Sequence, residues 1–314
     1  MLYLYLILGL ALLAFGGDTL VKGAVGVANK LKISPLLVGI VLVGFGTSTP
    51  ELIASILSAF KTPPASGIAV GNVIGSNICN ILLVLGVTAV IRPIKIEMKD
   101  FKRDASFLIF STIALGIATY FKSLNFLGGA LFVAGLIAYI SICYLGEKKD
   151  KKAIREMEKE LSETANDKHS ALFWVFVAIV GILMTMGGAN LLVNSAVELA
   201  RQWKISETII GLTVVAIGTS LPELASSIAA SIKKHNEVAY GNIVGSNIYN
   251  ALFILGVVAL LTPLNFPDDA GKSYLIMAVV TLWLVSLGMF KRISRLTGVL
   301  FLIAYAGYFV WLKM

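Results

Sequence analysis

Ten apolar stretches, grouped five and five, constrain this chain more than any other feature it carries. Runs such as Leu2–Phe15, Ile81–Ile91 and Ala171–Met186 recur throughout the 314 residues. A bilayer crossing takes roughly 20 mainly apolar residues. The pattern predicts spans at about 2–26, 34–60, 67–91, 104–121, 125–145, 171–199, 206–232, 237–261, 271–289 and 293–312. The first run lacks the basic n-region of a secretory signal, and nine further spans follow it, so it counts as a helix. Mean hydropathy is +0.87 and only 14% of residues are charged, far too few for the surface of a soluble domain of this length.

The two groups of five are copies. Residues 16–61 align without gaps to 188–233, and Gly16, Leu20, Val21, Lys32, Ile33, Ser34, Gly39, Gly46, Thr47, Ser48, Pro50, Glu51, Leu52, Ser55 and Lys61 all recur. The string GNVIGSNICN, ending at Asn80, returns as GNIVGSNIYN, ending at Asn250. An odd number of spans per copy reverses the chain, so the second copy sits upside down. The fold expected is an all-α membrane protein of ten transmembrane helices, built as two inverted five-helix repeats with helices 2, 3, 7 and 8 broken. The first repeat covers 1–145 and the second 171–314, with a charged linker at 146–170. Inverted repeats of this kind place a binding site near the midplane, where the copies meet.

The polar residues inside these spans are few and paired. GTSTPE runs from Gly46 to Glu51, and GTSLPE from Gly218 to Glu223. A carboxylate in the hydrocarbon layer costs several kcal/mol at least, so packing does not explain it. No Lys or Arg falls at the depth of Glu51 or Glu223 to neutralise them. Pro50 cannot donate to the carbonyl of Gly46, nor Pro222 to that of Gly218, so helices 2 and 7 should break there and free backbone oxygens. Thr47, Ser48 and Glu51 fall on one helix face by their spacing. Asn72, Ser76 and Asn80 form an i, i+4, i+8 stripe on helix 3, which Asn242, Ser246 and Asn250 repeat on helix 8. Carboxylate, hydroxyl, amide and carbonyl oxygens together make a hard-cation site. Gly39, Gly71, Gly86 and Ser55 read instead as close-packing and helix-gluing residues. Asp18, with Lys22 nearby, and Glu198 read as boundary charges.

The rest of the composition narrows the class. Cys79 and Cys143 fall in spans without metal-ligand spacing, and His169 and His235 lie outside the spans, which argues against a disulfide framework or a transition-metal centre. The net charge of +8 does not point to nucleic acid, because the basic residues are one-sided. The odd-numbered loops carry 20 Lys and Arg, against 6 in the even-numbered loops and termini. Positive charge marks the cytoplasmic face, so both termini should be external and the linker cytoplasmic. Anionic lipid accounts for that attraction, and nothing calls for an obligatory protein partner.

These motifs resemble the two α-repeats of the sodium/calcium exchanger family, within the calcium/cation antiporter superfamily, over essentially the whole chain. The resemblance implies secondary active antiport by alternating access across the cytoplasmic membrane, with Na⁺ and Ca²⁺ as transported ions and no resident cofactor. It implies that Glu51 and Glu223 are the shared carboxylates, and that Thr47, Ser48, Thr219 and Ser220 are ligands through hydroxyl or carbonyl oxygens. It makes Ser76 and Ser246 outlying Na⁺ ligands with the backbone of Gly44 and Ala216, and puts Asn80 and Asn250 at the centre. Well-known archaeal members have Asp where Asn250 stands here. Gly44 also replaces a more usual Ala, and Thr49 a usual Leu.

Other readings remain at this stage. The same fold could exchange Ca²⁺ or another cation for H⁺ or K⁺, or a passive cation channel could use the inverted repeat. An intramembrane aspartyl protease needs two carboxylates sharing a proton, normally both Asp, without flanking hydroxyls and amides that saturate a metal. The charge asymmetry makes a direct prediction. With Cys79 and Cys143 replaced, a cysteine introduced into 146–170 should resist a membrane-impermeant reagent added to intact cells, whereas rapid labelling would invert the topology.

Overall fold

The computed structural model describes residues 1–60, 66–96, 98–148, 169–204, 216–268 and 270–311. Helical segments occupy each of the ten expected spans. They are α1 (Leu2–Leu31), α2 (Pro35–Thr47 and Thr49–Ala59), α3 (Ser66–Ile91), α4 (Met98–Tyr120) and α5 (Phe126–Lys148), then α6 (Ala171–Gln202), α7 (Ala216–Gly218 and Leu221–Ile232), α8 (Asn236–Leu261), α9 (Ala270–Gly288) and α10 (Arg295–Trp311). Among the described residues, six of these are long and apolar enough to cross a bilayer unaided, and the bent α2 makes a seventh. α4 falls short because its first turns carry Asp100, Lys102, Arg103 and Asp104. The linker residues 149–168 lie outside the described residues.

The inverted duplication is visible in how the copies touch. Strand β1 (Ile94–Lys95) pairs antiparallel with β4 (Arg292–Ile293), and β2 (Ser123–Leu124) pairs with β3 (Leu264–Asn265). β1 follows α3 as β3 follows α8, and β2 precedes α5 as β4 precedes α10, so each repeat lends the same two strands to the other. Left-handed caps recur too: Lys32 (φ 52°) matches Lys204 (φ 58°), and Lys122 (φ 53°) matches Lys291 (φ 59°).

Burial separates an inner pair of helices from an outer shell. In α3 and α8, 72% and 83% of the apolar window is buried, against 22% in α6 and 33% in α1. The outer helices show lipid an apolar face that includes Phe15, Ile113, Leu131, Leu183, Leu282 and Ile303. A helix in hydrocarbon gains nothing from hiding apolar side chains, so contact comes from close backbone approach at small residues. α1 packs antiparallel along α6 this way. A Cβ at Gly16 would stand 2.7 Å from Thr185 N, and one at Gly188 would stand 2.8 Å from Leu13 N and 2.9 Å from Gly9 O. Gly86 of α3 meets Gly298 of α10 as Gly129 of α5 meets Gly256 of α8. Gly39 packs as expected, against Val238 and Gly241 of α8. Gly71, expected to do the same, is exposed and meets no described atom within 4 Å.

The helix breaks take two forms. At Ser48 the axis of α2 bends by 41°, and Pro50 opens the second segment instead of interrupting the first. In α7 the turn Thr219–Ser220 separates the two segments, and Pro222 occupies the matching place. α3 and α8 stay continuous, and their departure from α geometry is a wider π-helical stretch at Asn80–Val84 and Tyr249–Ile254. Such bulges turn side chains out of the α register and concentrate at functional sites.

Adjacent glycines of α6 test the packing. Gly188→Leu must push α1 away from α6 and should cost about 1–3 kcal/mol or more. Gly187→Leu should be nearly silent, because nothing lies within 4 Å of a Cβ there. Thermal unfolding of the two variants in detergent checks the difference.

Candidate functional site

Glu51 and Glu223 each sit in the first turn of a helix that restarts after a break. Proline at the second position fits there, since its missing N–H needs no partner at a helix start. The N-terminal end of the restarted helix carries partial positive charge that favours a carboxylate. Both side chains are wholly buried, and their charges are close enough to interact.

Each glutamate is held by its backbone from the neighbouring inner helix. Asn72 Nδ2 donates to Glu51 O at 3.3 Å and to Ser55 Oγ at 3.2 Å. Asn242 Nδ2 lies 3.3 Å from Glu223 O, 3.0 Å from Ser226 Oγ and 2.9 Å from Ser227 Oγ. The side chains of Asn72 and Asn242 thus tie α3 to α2 and α8 to α7, leaving the carboxylates to face elsewhere.

Other bonds cross between the repeats. Ser48 Oγ donates to Glu223 Oε1 at 3.3 Å. Thr47 Oγ1 lies 3.1 Å from Asn242 Oδ1 as well as 3.0 Å from Val43 O in its own helix. Ser246 Oγ donates to Gly44 O at 3.4 Å, joining the predicted outlying serine to the predicted backbone carbonyl. The close approach depends on Gly44, whose Cβ would meet Ser246 N at 3.2 Å. Asn250 Nδ2 donates to Asn77 Oδ1 at 3.1 Å, and Asn77 Nδ2 donates to Asn247 O at 3.2 Å. The bend at Ser48 falls between Thr47 and Glu51, and Thr47 and Ser48 reach Asn242 and Glu223 of the opposite repeat.

Several oxygens in this network have no partner among the described atoms. They are both carboxylate oxygens of Glu51, Oε2 of Glu223, Oγ of Ser220, Oδ1 of Asn80 and Oδ1 of Asn250. An unmet buried polar group costs about 1–3 kcal/mol, more if charged. Such a concentration beside two carboxylates is what a desolvated cation would satisfy. Ser76 is buried, Thr219 is half-buried in the turn, and the backbone of Ala216 begins a helical turn that packs on α3. Among the described residues no three His, Cys, Asp or Glu cluster together. Any cation here depends on two carboxylates and neutral oxygens.

The two copies differ in cover. Gly241, Asn242 and Gly245 of α8 are buried beneath α2. Of their equivalents on α3, Gly71 is exposed and Asn72 and Gly75 are partly so, and the counterpart of the covering part of α2, 205–215, lies outside the described residues. Asn77 and Asn247 escape the sequence reading, although both stand in the repeated G-S-N strings. A cavity of about 610 Å³ between α4 and α5 contains neither glutamate and is lined mostly by apolar side chains such as Phe110 and Leu131.

An inverted-repeat helical core, bent helices and an oxygen-lined site between the copies define a membrane transporter of cations. Residues 1–145 and 173–314 match the family model for sodium/calcium exchanger protein. The chain is 36% identical over 313 residues to the CaxA protein of Alkalimonas amylolytica, covering 97% of this chain and 96% of that one. It is 32% identical to the sodium/calcium exchanger MaX1 of Methanosarcina acetivorans, over 98% of this chain and 97% of that one. A solved structure of the sodium-calcium exchanger NCX_Mj superposes with a TM-score of 0.83 at 31% identity, covering 99% of this chain and 98% of that chain. The chain belongs to the sodium/calcium exchanger family, whose members are cation antiporters.

Asn242 and Asn72 offer a graded test. Asn242→Ala strips donors from Glu223 O and two serines in a fully buried place, at a cost of about 1–3 kcal/mol. Asn72→Ala removes fewer bonds in a partly exposed place and should shift thermal unfolding less.

Proposed function

We propose that this protein exchanges Na⁺ for Ca²⁺ across the cytoplasmic membrane by alternating access. One observation carries the reading: two wholly buried carboxylates, one of them bonded to the Ser48 hydroxyl of the other repeat, share the core with hydroxyl and amide oxygens of which several have no partner among the described residues. Glu51 and Glu223 supply the charge for Ca²⁺ or Na⁺. Thr47, Ser48, Thr219, Ser220, Asn80 and Asn250 supply neutral oxygens, and Ser76 with Ala216 O and Ser246 with Gly44 O flank the centre. Asn250 brings no charge, and its Nδ2 is already engaged by Asn77, so its free Oδ1 is the atom offered to a cation. The names carried by MaX1 and NCX_Mj support the same ion pair.

The boundaries we assign are a first repeat at 1–145, a cytoplasmic linker at 146–170 and a second repeat at 171–314, with both termini external. On that topology the N-terminal half of α3 faces outside, where Gly71 is exposed. The N-terminal half of α8 faces inside, closed by α2. Exchange of conformation between the copies would switch the side from which the site is reached, which is the use an antiporter has for an inverted duplication.

Glu51→Gln and Glu223→Gln each halve the charge of the site. Either should abolish Na⁺-driven Ca²⁺ flux in proteoliposomes, a loss of at least 100-fold if one buried charge contact is worth about 3 kcal/mol. Near-normal exchange by either variant sinks the assignment. Imposing Na⁺, K⁺ and H⁺ gradients one at a time identifies the counter-ion, and Ca²⁺ flux indifferent to all three would indicate a channel.

A further inference from the structure

A second polar site lies apart from the glutamates, where α1 and α6 meet the turn between α7 and α8. A cavity of about 430 Å³ there is lined by residues that include Val21, Lys22, Trp174, Lys233 and His235. Asp18 stands beside it and bridges two lysines from different helices, Lys22 Nζ at 2.8 Å and Lys233 Nζ at 2.6 Å. One carboxylate against two ammonium groups leaves the cluster one positive charge in excess. His235 adds nothing to it, because burial and the charge of Lys233 hold its imidazole below the ordinary histidine range, and Glu237, which pulls the other way, is the one further carboxylate that acts on this group. Val21 and Gly26 give an apolar wall, and the Trp174 indole packs over Gly26, filling the space a side chain would need.

The duplication supplies an internal control. Asp18 and Lys22 align with Asn190 and Asn194, and Lys233 aligns with Lys61. At the opposite end of the molecule Asn194 Nδ2 donates to Asn190 Oδ1 at 2.6 Å, an amide pair where α1 has an ion pair. Joining one helical turn to the next needs no charge, since an amide pair does it. The Asp18–Lys22 ion pair therefore has no charged counterpart in the second copy, and it stands at the end that the loop asymmetry assigns to the cytoplasm.

We propose that this cavity binds an anionic phospholipid from the cytoplasmic leaflet. The phosphate sits between Lys22 and Lys233, sharing them with Asp18, and an acyl chain runs along the partly exposed Val25 beside Trp174. The bilayer supplies such a ligand at this depth, basic pockets between membrane helices select it, and an indole at the boundary suits the junction of headgroup and chain. Because Lys22 is on α1 and Lys233 closes α7, the bound headgroup fastens the outer α1–α6 pair to the end of a helix that carries Glu223.

The test uses the full chain in phosphatidylcholine vesicles doped with brominated lipid, reading the quenching of Trp174 as the difference between the native protein and Trp174→Phe. Brominated phosphatidylglycerol should quench this component in clear preference to brominated phosphatidylcholine at the same fraction. Lys22→Gln and Lys233→Gln should each lower the preference about fivefold, the worth of one lysine near an anionic surface. Lys22→Arg should keep it, and Ca²⁺ exchange in pure phosphatidylcholine should be unchanged in all three, showing a folded protein. Equal quenching by the two lipids, or a preference that survives both glutamine substitutions, overturns the proposal. Displacement of the brominated lipid by millimolar inorganic phosphate would also overturn it, assigning the pocket to a free anion.

Discussion

Two carboxylates held out of water at the meeting point of the copies are the constraint around which the molecule is arranged. Left alone in hydrocarbon they would be prohibitive. The chain surrounds them with backbone and side-chain dipoles whose donors are mostly turned elsewhere. Asn72 and Asn242 donate to the glutamates' own carbonyls, and Asn250 donates to Asn77, so the acceptor oxygens remain available. A half-satisfied polar network is ordinarily worse than an apolar core, because each orphan acceptor is a penalty in a low dielectric. A cation bound among them would turn the same penalties into ligation, and stability and ion affinity would then be coupled, as for any ligand that binds only the folded state.

The surrounding architecture follows from giving that site polar backbone without opening it to lipid. Irregular backbone at membrane depth is tolerated only inside protein. The bends at Ser48 and at Thr219–Ser220 and the π-stretches in α3 and α8 all lie among the inner helices. The outer shell of α1, α6 and their neighbours keeps the lipid away. It does so through glycine contacts, because small residues allow backbone approach where no hydrophobic force exists between helices.

The copies share a sequence pattern but not a conformation. Ser48 reaches Glu223 across the interface, while both oxygens of Glu51 and the hydroxyl of Ser220 stand without described partners. α2 covers the start of α8, at Gly241 and Gly245. Two near-equivalent halves in unlike states can exchange states at little net cost, because each interaction broken in one half has an equivalent that can form in the other. The ends of the molecule are not equivalent, since the Asp18 ion cluster at one is an amide pair at the other.

Much of this was legible in the residues alone. Apolar run length set the helix count, because a bilayer has a fixed thickness. Odd parity set the inversion, because each crossing reverses the chain. Glu51 and Glu223 declared themselves because a lone charge at that depth has no packing use, and Pro50 and Pro222 marked the breaks because proline lacks the N–H. Those are local or one-dimensional properties. Which neighbour each polar group meets is not. Spacing placed Thr47 and Ser48 on one face with Glu51, but that they meet Asn242 and Glu223 was not readable, because only tertiary structure fixes the direction of a broken helix. Asn77 went unread, because its bond with Asn250 joins residues 173 apart in the chain. The exposure of Gly71, the burial of Gly241 and the joining of Asp18 to Lys233 were decided in the same way, by contacts between segments far apart in the chain.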